Sequence, residues 1–270
     1  MAASSAPCGL CLKLRKLRNS HLLPASAYKM LRMQDGRTDP NPVVITPSNA
    51  FVSSKQVYSR LLCADCEGLF HSNGENYVMD QCAHPNGQFE LRELLQMASP
   101  LSTNSQTQIY NVQSLLRDKL KHYIYFASSI FWRACAHDWL LRGEAVSKQK
   151  FLDPDDQEQF RLYLHGEAAF PRDAYIWVCV SSEAPNELMI VMAPCIGQDY
   201  RLPCYKFYFL GLLFMLFLGK DIPRWLRDGA LNGSRSQMWI SPLQNNSLFN
   251  GFMDRMKTSR PSGKLSIHRQ

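Results

Sequence analysis

The chain has 270 residues, 46% of them hydrophobic and 20% charged, a composition that excludes intrinsic disorder, collagen-like repeats and a coiled coil. Its formal net charge is +7, and nine Lys or Arg against two Asp in residues 1–62 account for all of it. An excess so placed suits a polyanion such as nucleic acid or an acidic membrane surface, and suits equally a solvated face that keeps the protein soluble.

No apolar segment of signal-peptide type follows Met1, and the nine cysteines are an odd number. Both facts point to a reducing, cytoplasmic compartment without disulfides. The longest apolar run, Phe207 to Leu218, is 12 residues, short of the roughly 20 a spanning helix needs. It reads as core, and no membrane association is expected.

Along the chain, residues 1–80 combine two Cys-x-x-Cys pairs, basic residues and short polar spacers. Met33 to Ser54 reads as a loop with one short extended stretch, Val43 to Ile45. A helix can begin at Glu67 to Phe70, with Asn73-Gly74 ending or interrupting it. Residues 81–111 hold a short helix over Gln88 to Met97 and a Ser/Thr/Asn/Gln linker from Pro100 to Gln108, the expected domain boundary.

Residues 112–257 form the main α+β domain. Apolar residues at helical spacing predict a central helix from Val112 to about Leu141. Asp153 and Pro154 open another through His165, closed by Gly166. Strands follow at Ala174 to Val180, Glu187 to Ala193 and Tyr205 to Leu218, the last with a break at Gly211, and Pro185-Asn186 suits a hairpin between the first two. Residues 258–270 read as a disordered tail.

The cysteine spacing carries the clearest chemistry. Cys8-x-x-Cys11 and Cys63-x-x-Cys66 offer four thiolates from two short turns, the donor set of a closed structural Zn²⁺ site that staples distant segments. A redox pair would sit in a βαβ context, which the pattern lacks. Cys82, Cys135, Cys179, Cys195 and Cys204 lie among apolar residues and read as buried fillers. Arg133, inside an apolar helix, requires a buried partner, with an acidic residue of the N-terminal region as the candidate.

Between the cysteine pairs stands Ser20-His21-Leu22-Leu23-Pro24, and Leu61-Leu62 precedes Cys63-Ala64-Asp65-Cys66-Glu67. A Cys pair, a His-x-x-Pro segment and a Leu-Leu-Cys-x-x-Cys segment resemble the zinc-stapled, treble-clef form of HNH endonucleases. The resemblance implies an N-terminal ββα zinc module, followed by a helical segment and an antiparallel-sheet C-terminal domain in an α+β fold. It implies that His21 is the general base, and that Glu67 occupies the position of the family's metal-binding His.

Glu67 would bring a hard oxygen ligand suited to a catalytic Mg²⁺ or Mn²⁺. Glu75, eight residues on, would add a second carboxylate if the helix continues. The basic residues Lys13, Arg15, Lys16, Arg18, Lys29 and Arg32 would then hold the phosphate backbone of DNA or RNA. The family's Asn before the second Cys pair has no match here. That, with Glu in place of His, supports the alternative of a catalytically inactive zinc module serving protein or nucleic-acid binding. A protein partner would dock on the C-terminal domain. The helix from Tyr125 to Ala134 resembles one in uncharacterised bacterial proteins with the same N-terminal motifs, and the likeness implies no role for it.

Overall fold

The computed structural model describes residues 5–32, 39–46, 48–104, 106–146 and 150–269, with side chains up to residue 266. Part of the loop expected over Met33 to Ser54, at 33–38 and 47, lies outside the described residues. The fold is mixed α+β with one large mixed sheet.

The N-terminal region is built from short hairpins. Strands β1 (Ala6–Pro7) and β2 (Leu14–Arg15) pair around the first cysteine pair. Strand β3 (Leu17–His21) leads into α1 (Ala25–Met30), and β4 (Val43–Ile45) pairs with β5 (Asn49–Val52). Strand β6 (Tyr58–Cys63) returns antiparallel to β3 and runs directly into α2 (Ala64–Phe70).

A π-helical turn over His71–Glu75 follows, then α3 (Asn76–Gln81). Asn73-Gly74 thus widens the helix by one turn without ending it. The cause is a close approach: a Cβ on Gly74 would lie 2.9 Å from the backbone N of Phe126 and 3.0 Å from its Cα. Only glycine lets the two backbones meet there.

The short helix expected near residue 90 is α4 (Glu90–Gln96). The polar segment read as a linker instead contributes β7 (Ser102–Thr103) and β8 (Gln108–Asn111), which join the large sheet. The expected long helix is interrupted: α5 (Gln113–Leu116) stops at Arg117, whose φ is +38°, and α6 (Leu120–Ala136) ends before His137.

Helix α6 is buried over almost its whole length. It is apolar all round because it is covered on both sides. Phe126 meets Phe207, Phe209 and Phe214 of the sheet at 6.0, 5.1 and 5.4 Å between ring centroids, and Trp132 meets Phe70 of α2 at 6.1 Å.

Two-residue strands β9 (Leu140–Leu141) and β10 (Glu144–Ala145) precede α7 (Pro154–His165). As the sequence predicts, the Asp153 side chain accepts from the Asp156 N–H and Gly166 closes α7 with φ +81°. The sheet then takes β11 (Ala174–Ser181), β12 (Val191–Asp199), β13 (Leu202–Phe209), β14 (Leu212–Leu218) and β15 (Gln237–Ser241), in the spatial order β12-β13-β14-β11-β15-β8-β7.

Two expectations about this sheet need correction. It is not wholly antiparallel, because β11 and β15 run parallel. Nor do β11 and β12 form a hairpin: Pro185–Leu188 is a 3₁₀ turn that carries the chain to the edge strand β12, while β14 and β15 flank β11. The break at Gly211 is the real hairpin, between β13 and β14. Leu210 and Gly211 both have positive φ there, and a Cβ on Gly211 would meet the Phe89 ring at 2.8 Å.

Helix α8 (Arg224–Gly229) lies between β14 and β15, and α9 (Ser247–Thr258) follows the last sheet strand. The segment read as a disordered tail returns to the N-terminal region as β16 (Arg260–Pro261), parallel to β5. A two-residue strand ending on proline has no apolar period by which a sequence could announce it. The buried apolar residues from Cys8 to Leu243 form one contiguous core. Among the described residues no helix is long and apolar enough to cross a membrane.

Candidate metal centre and adjoining site

Cys8 and Cys11 lie in the turn between β1 and β2, tightened by hydrogen bonds from the Cys8 N–H to the Lys13 carbonyl (3.0 Å) and the Leu12 N–H to the Cys8 carbonyl (2.9 Å). Cys63 ends β6 and Cys66 lies in the first turn of α2. The Gly9 N–H bonds the Leu61 carbonyl (2.9 Å) and the Cys63 N–H bonds Cys8 Sγ (3.3 Å), so the two turns close on each other. Arg161 of α7 holds the first turn from behind, donating to the Leu10 carbonyl at 2.6 Å.

The four Sγ atoms all lie within 4.8 Å of one another, with Cys11 and Cys63 at 4.0 Å. The hydrogen bond between Cys8 and Cys66 pulls the Cys8 thiol down to about 4 and pushes Cys66 up. Four sulfurs so placed can hold a structural metal ion such as zinc. None of the nine cysteines is in a disulfide. Cys82, Cys135 and Cys204 are buried as expected, whereas Cys179 and Cys195 are half-buried.

His21 ends β3 and pairs across the hairpin with Tyr58. Its ring, half-buried, stands 5.9 Å from the Tyr58 ring and 6.3 Å from that of Tyr28. Burial pulls the imidazole below its usual 6.5, and the nearby Arg133 charge adds to this against the hydrogen bond to Gln56 and the charge of Glu75.

Glu67, half-buried on α2, has its Oε1 buried without a hydrogen-bond partner among the described residues. Burial raises its pKa, against the hydrogen bond to Ser20 and the charge of Arg133. Ser20 is fully buried, and its Oγ also accepts the Leu62 N–H at 2.9 Å. One residue before His21, Ser20 therefore ties the end of β3 to β6 and to the first helix after the cysteines.

Arg133 completes this neighbourhood. It is 1% exposed and donates to the His21 carbonyl (2.7 Å), Glu75 Oε1 (2.5 Å) and the Ser129 carbonyl (3.2 Å), with its guanidinium 4.9 Å above the Phe70 ring. The partner that its apolar setting demands is thus Glu75, carried there by the continuing helix. The arginine's reach to His21 had no sequence signal beyond its own awkward position.

Among the described residues the four cysteines are the one group of three or more His, Cys, Asp or Glu side chains close enough together to share an ion. His21, Glu67 and Glu75 adjoin one another without forming such a group. Lys13, Arg15, Lys16, Arg18 and Lys29 are all exposed, as is Arg60 on β6. Arg32 differs: it is half-buried and donates to the Ser54 carbonyl at 2.5 Å. A largely apolar cavity of about 840 Å³ is lined by Leu22, Leu23, Tyr28 and residues of β4, β12 and α9, and does not include His21 or Glu67.

Comparison with known proteins finds no matching family model, no similar curated protein and no similar solved structure.

Proposed function

We propose that this chain is a nucleic-acid-binding protein whose N-terminal region is a zinc-stapled module of HNH-like, treble-clef type, acting as a metal-dependent endonuclease. The observation that carries the reading is that Arg133 joins the His21 backbone to Glu75, with Glu67 feeling the charges of Arg133, Glu75 and Cys8, in a region whose hairpin strands carry the exposed Arg18 and Arg60. Zinc suits the thiols: Zn–S bonds of about 2.3 Å put tetrahedral sulfurs about 3.8 Å apart, close to the 4.0 Å between Cys11 and Cys63.

In this reading the zinc is structural and the chemistry belongs to the chain's own groups. His21, neutral at physiological pH because burial disfavours its cation, takes the proton from an attacking water. Arg133 fixes the backbone that carries His21, and holds Glu75. Glu67, with an oxygen that has no hydrogen-bond partner among the described residues, would hold a Mg²⁺ or Mn²⁺ ion, which when bound stabilises the charge developing on the phosphodiester. Lys13, Arg15, Lys16, Arg18 and Lys29 hold flanking phosphates.

A second reading, a catalytically inactive binding module, is favoured by one observation: His21, Glu67 and Glu75 do not stand as a ready cation site. Nuclease assays with Mg²⁺ or Mn²⁺ on wild type, His21→Ala and Glu67→Ala separate the two. Cleavage abolished in both variants, with binding retained, is the result expected of the endonuclease. Binding without cleavage by wild type leaves the second reading.

A further inference from the structure

Tyr58 is the outlier of the basic hairpin. It is 55% exposed on β6, directly opposite His21, with the two rings 5.9 Å apart. Its hydroxyl makes no hydrogen bond among the described residues. The neighbouring Tyr28 differs, being half-buried with its hydroxyl accepting the Val57 N–H at 3.4 Å. A tyrosine so exposed on a strand contributes little to the core and keeps part of its ring open to a ligand.

Its surroundings say what it would meet. Arg60, two residues along β6 and so on the same face, is exposed and pairs with Asn19 of β3. Lys55 is exposed on the segment leading into β6, and Arg18 is exposed farther back along β3. Neither residues 13–21 nor 55–62 contain a carboxylate. Cations alone would attract any polyanion. Cations on the same hairpin as an exposed aromatic ring select one that carries planar rings, and such rings are open to stacking only where bases are unpaired.

We propose that Tyr58 is a stacking platform for an unpaired base beside His21, and that the polyanion bound is single-stranded nucleic acid or a single-stranded segment of it. This rests on the nucleic-acid reading above and narrows it. A base held on Tyr58 would bring its own phosphate to the end of β3, where His21 stands, while Arg60 and Arg18 take the next phosphates along the strand.

The test is fluorescence anisotropy with labelled single-stranded and duplex oligonucleotides of the same sequence, without added divalent metal, over a range of salt. The proteins are the full chain, Tyr58→Ala, Tyr58→Trp and Arg60→Ala, each checked for an unchanged melting temperature. Tyr58→Ala is expected to weaken single-strand binding about tenfold, the scale of losing one stacked base. Its salt dependence should stay as in wild type, Tyr58→Trp should bind like wild type, and duplex affinity should barely change. Arg60→Ala should instead lower the salt slope by about 0.7. Equal affinity of Tyr58→Ala and wild type for the single strand, or an equal loss on duplex, overturns the stacking role while leaving nucleic-acid binding in place. Wild type binding neither oligonucleotide overturns both readings, and does so before any variant is compared.

Discussion

Arg133 and His21, 112 positions apart, are joined by a 2.7 Å hydrogen bond from a buried guanidinium to a backbone carbonyl. The same guanidinium pairs with Glu75 and covers Phe70. The central helix is thereby wired to the end of β3 and to the helix that follows the cysteines. Arg133→Met should destabilise the protein by about 3 kcal/mol, because it strands a largely buried carboxylate and a carbonyl without their donor. In urea unfolding, adding Glu75→Gln to Arg133→Met should recover part of the loss. Additive single-variant losses would mean that the two side chains do not depend on each other.

Metal analysis of untagged protein should find about one zinc per chain. Cys63→Ser should lose it. Hydrogen exchange should then rise first in the amides of β3 and β6, which the two cysteine turns hold together, since binding free energy of a structural ion is folding free energy. A fully loaded Cys63→Ser protein would rule out the four-thiol centre as the metal's seat.

The imidazole of His21 should titrate below 6.5, with burial the main cause and the charge of Arg133 a lesser one. The unfolded chain then takes up a proton more readily than the folded one. Its contribution to stability is therefore full above pH 6.5 and is lost as the pH falls through 6.5 toward the folded value. NMR titration, with His21→Ala to assign the resonance, measures this directly, and a midpoint at or above 6.5 would contradict the buried setting.

Glu67→Gln should move stability and function in opposite directions. The carboxylate is half-buried and one oxygen has no partner among the described residues, so an uncharged amide of the same shape should stabilise the protein at neutral pH by about 1 kcal/mol. If the endonuclease proposed above is right, metal-dependent cleavage should disappear in the same variant. A destabilised Glu67→Gln protein would show instead that the charge is needed for folding.

Much of the candidate site was legible in the sequence because its chemistry is local. Two Cys-x-x-Cys pairs specify two tight turns, and the structure brings all four sulfurs together. Arg133 could be marked as needing an acid because a lone cation in an apolar helix is untenable, although the sequence could not decide which acid. The sheet was harder. Strand β15 is five residues long, and β7 and β8 lie in a polar stretch whose pairing partner, β15, is more than 120 positions away. Residues 237–240 alternate half-buried and buried and Ser241 breaks the pattern, over so short a span that it carries little signal. The return of Arg260 and Pro261 to β5 depends on contacts more than 200 positions apart, which no local pattern encodes.

The π-helical turn at His71–Glu75 makes the spacing between Cys66 and Glu75 a matter of phase as well as length. Each residue in a helix turns the next by about 100°. A chain with the same residue types but one residue fewer in that turn would still close its thiol centre. It would also point its second carboxylate away from Arg133, and the central helix would then hold only His21's end of the site. What joins the four-cysteine turns to Arg133 and the His21 end of β3 is therefore one surplus residue in a helix, with Gly74 making room for it.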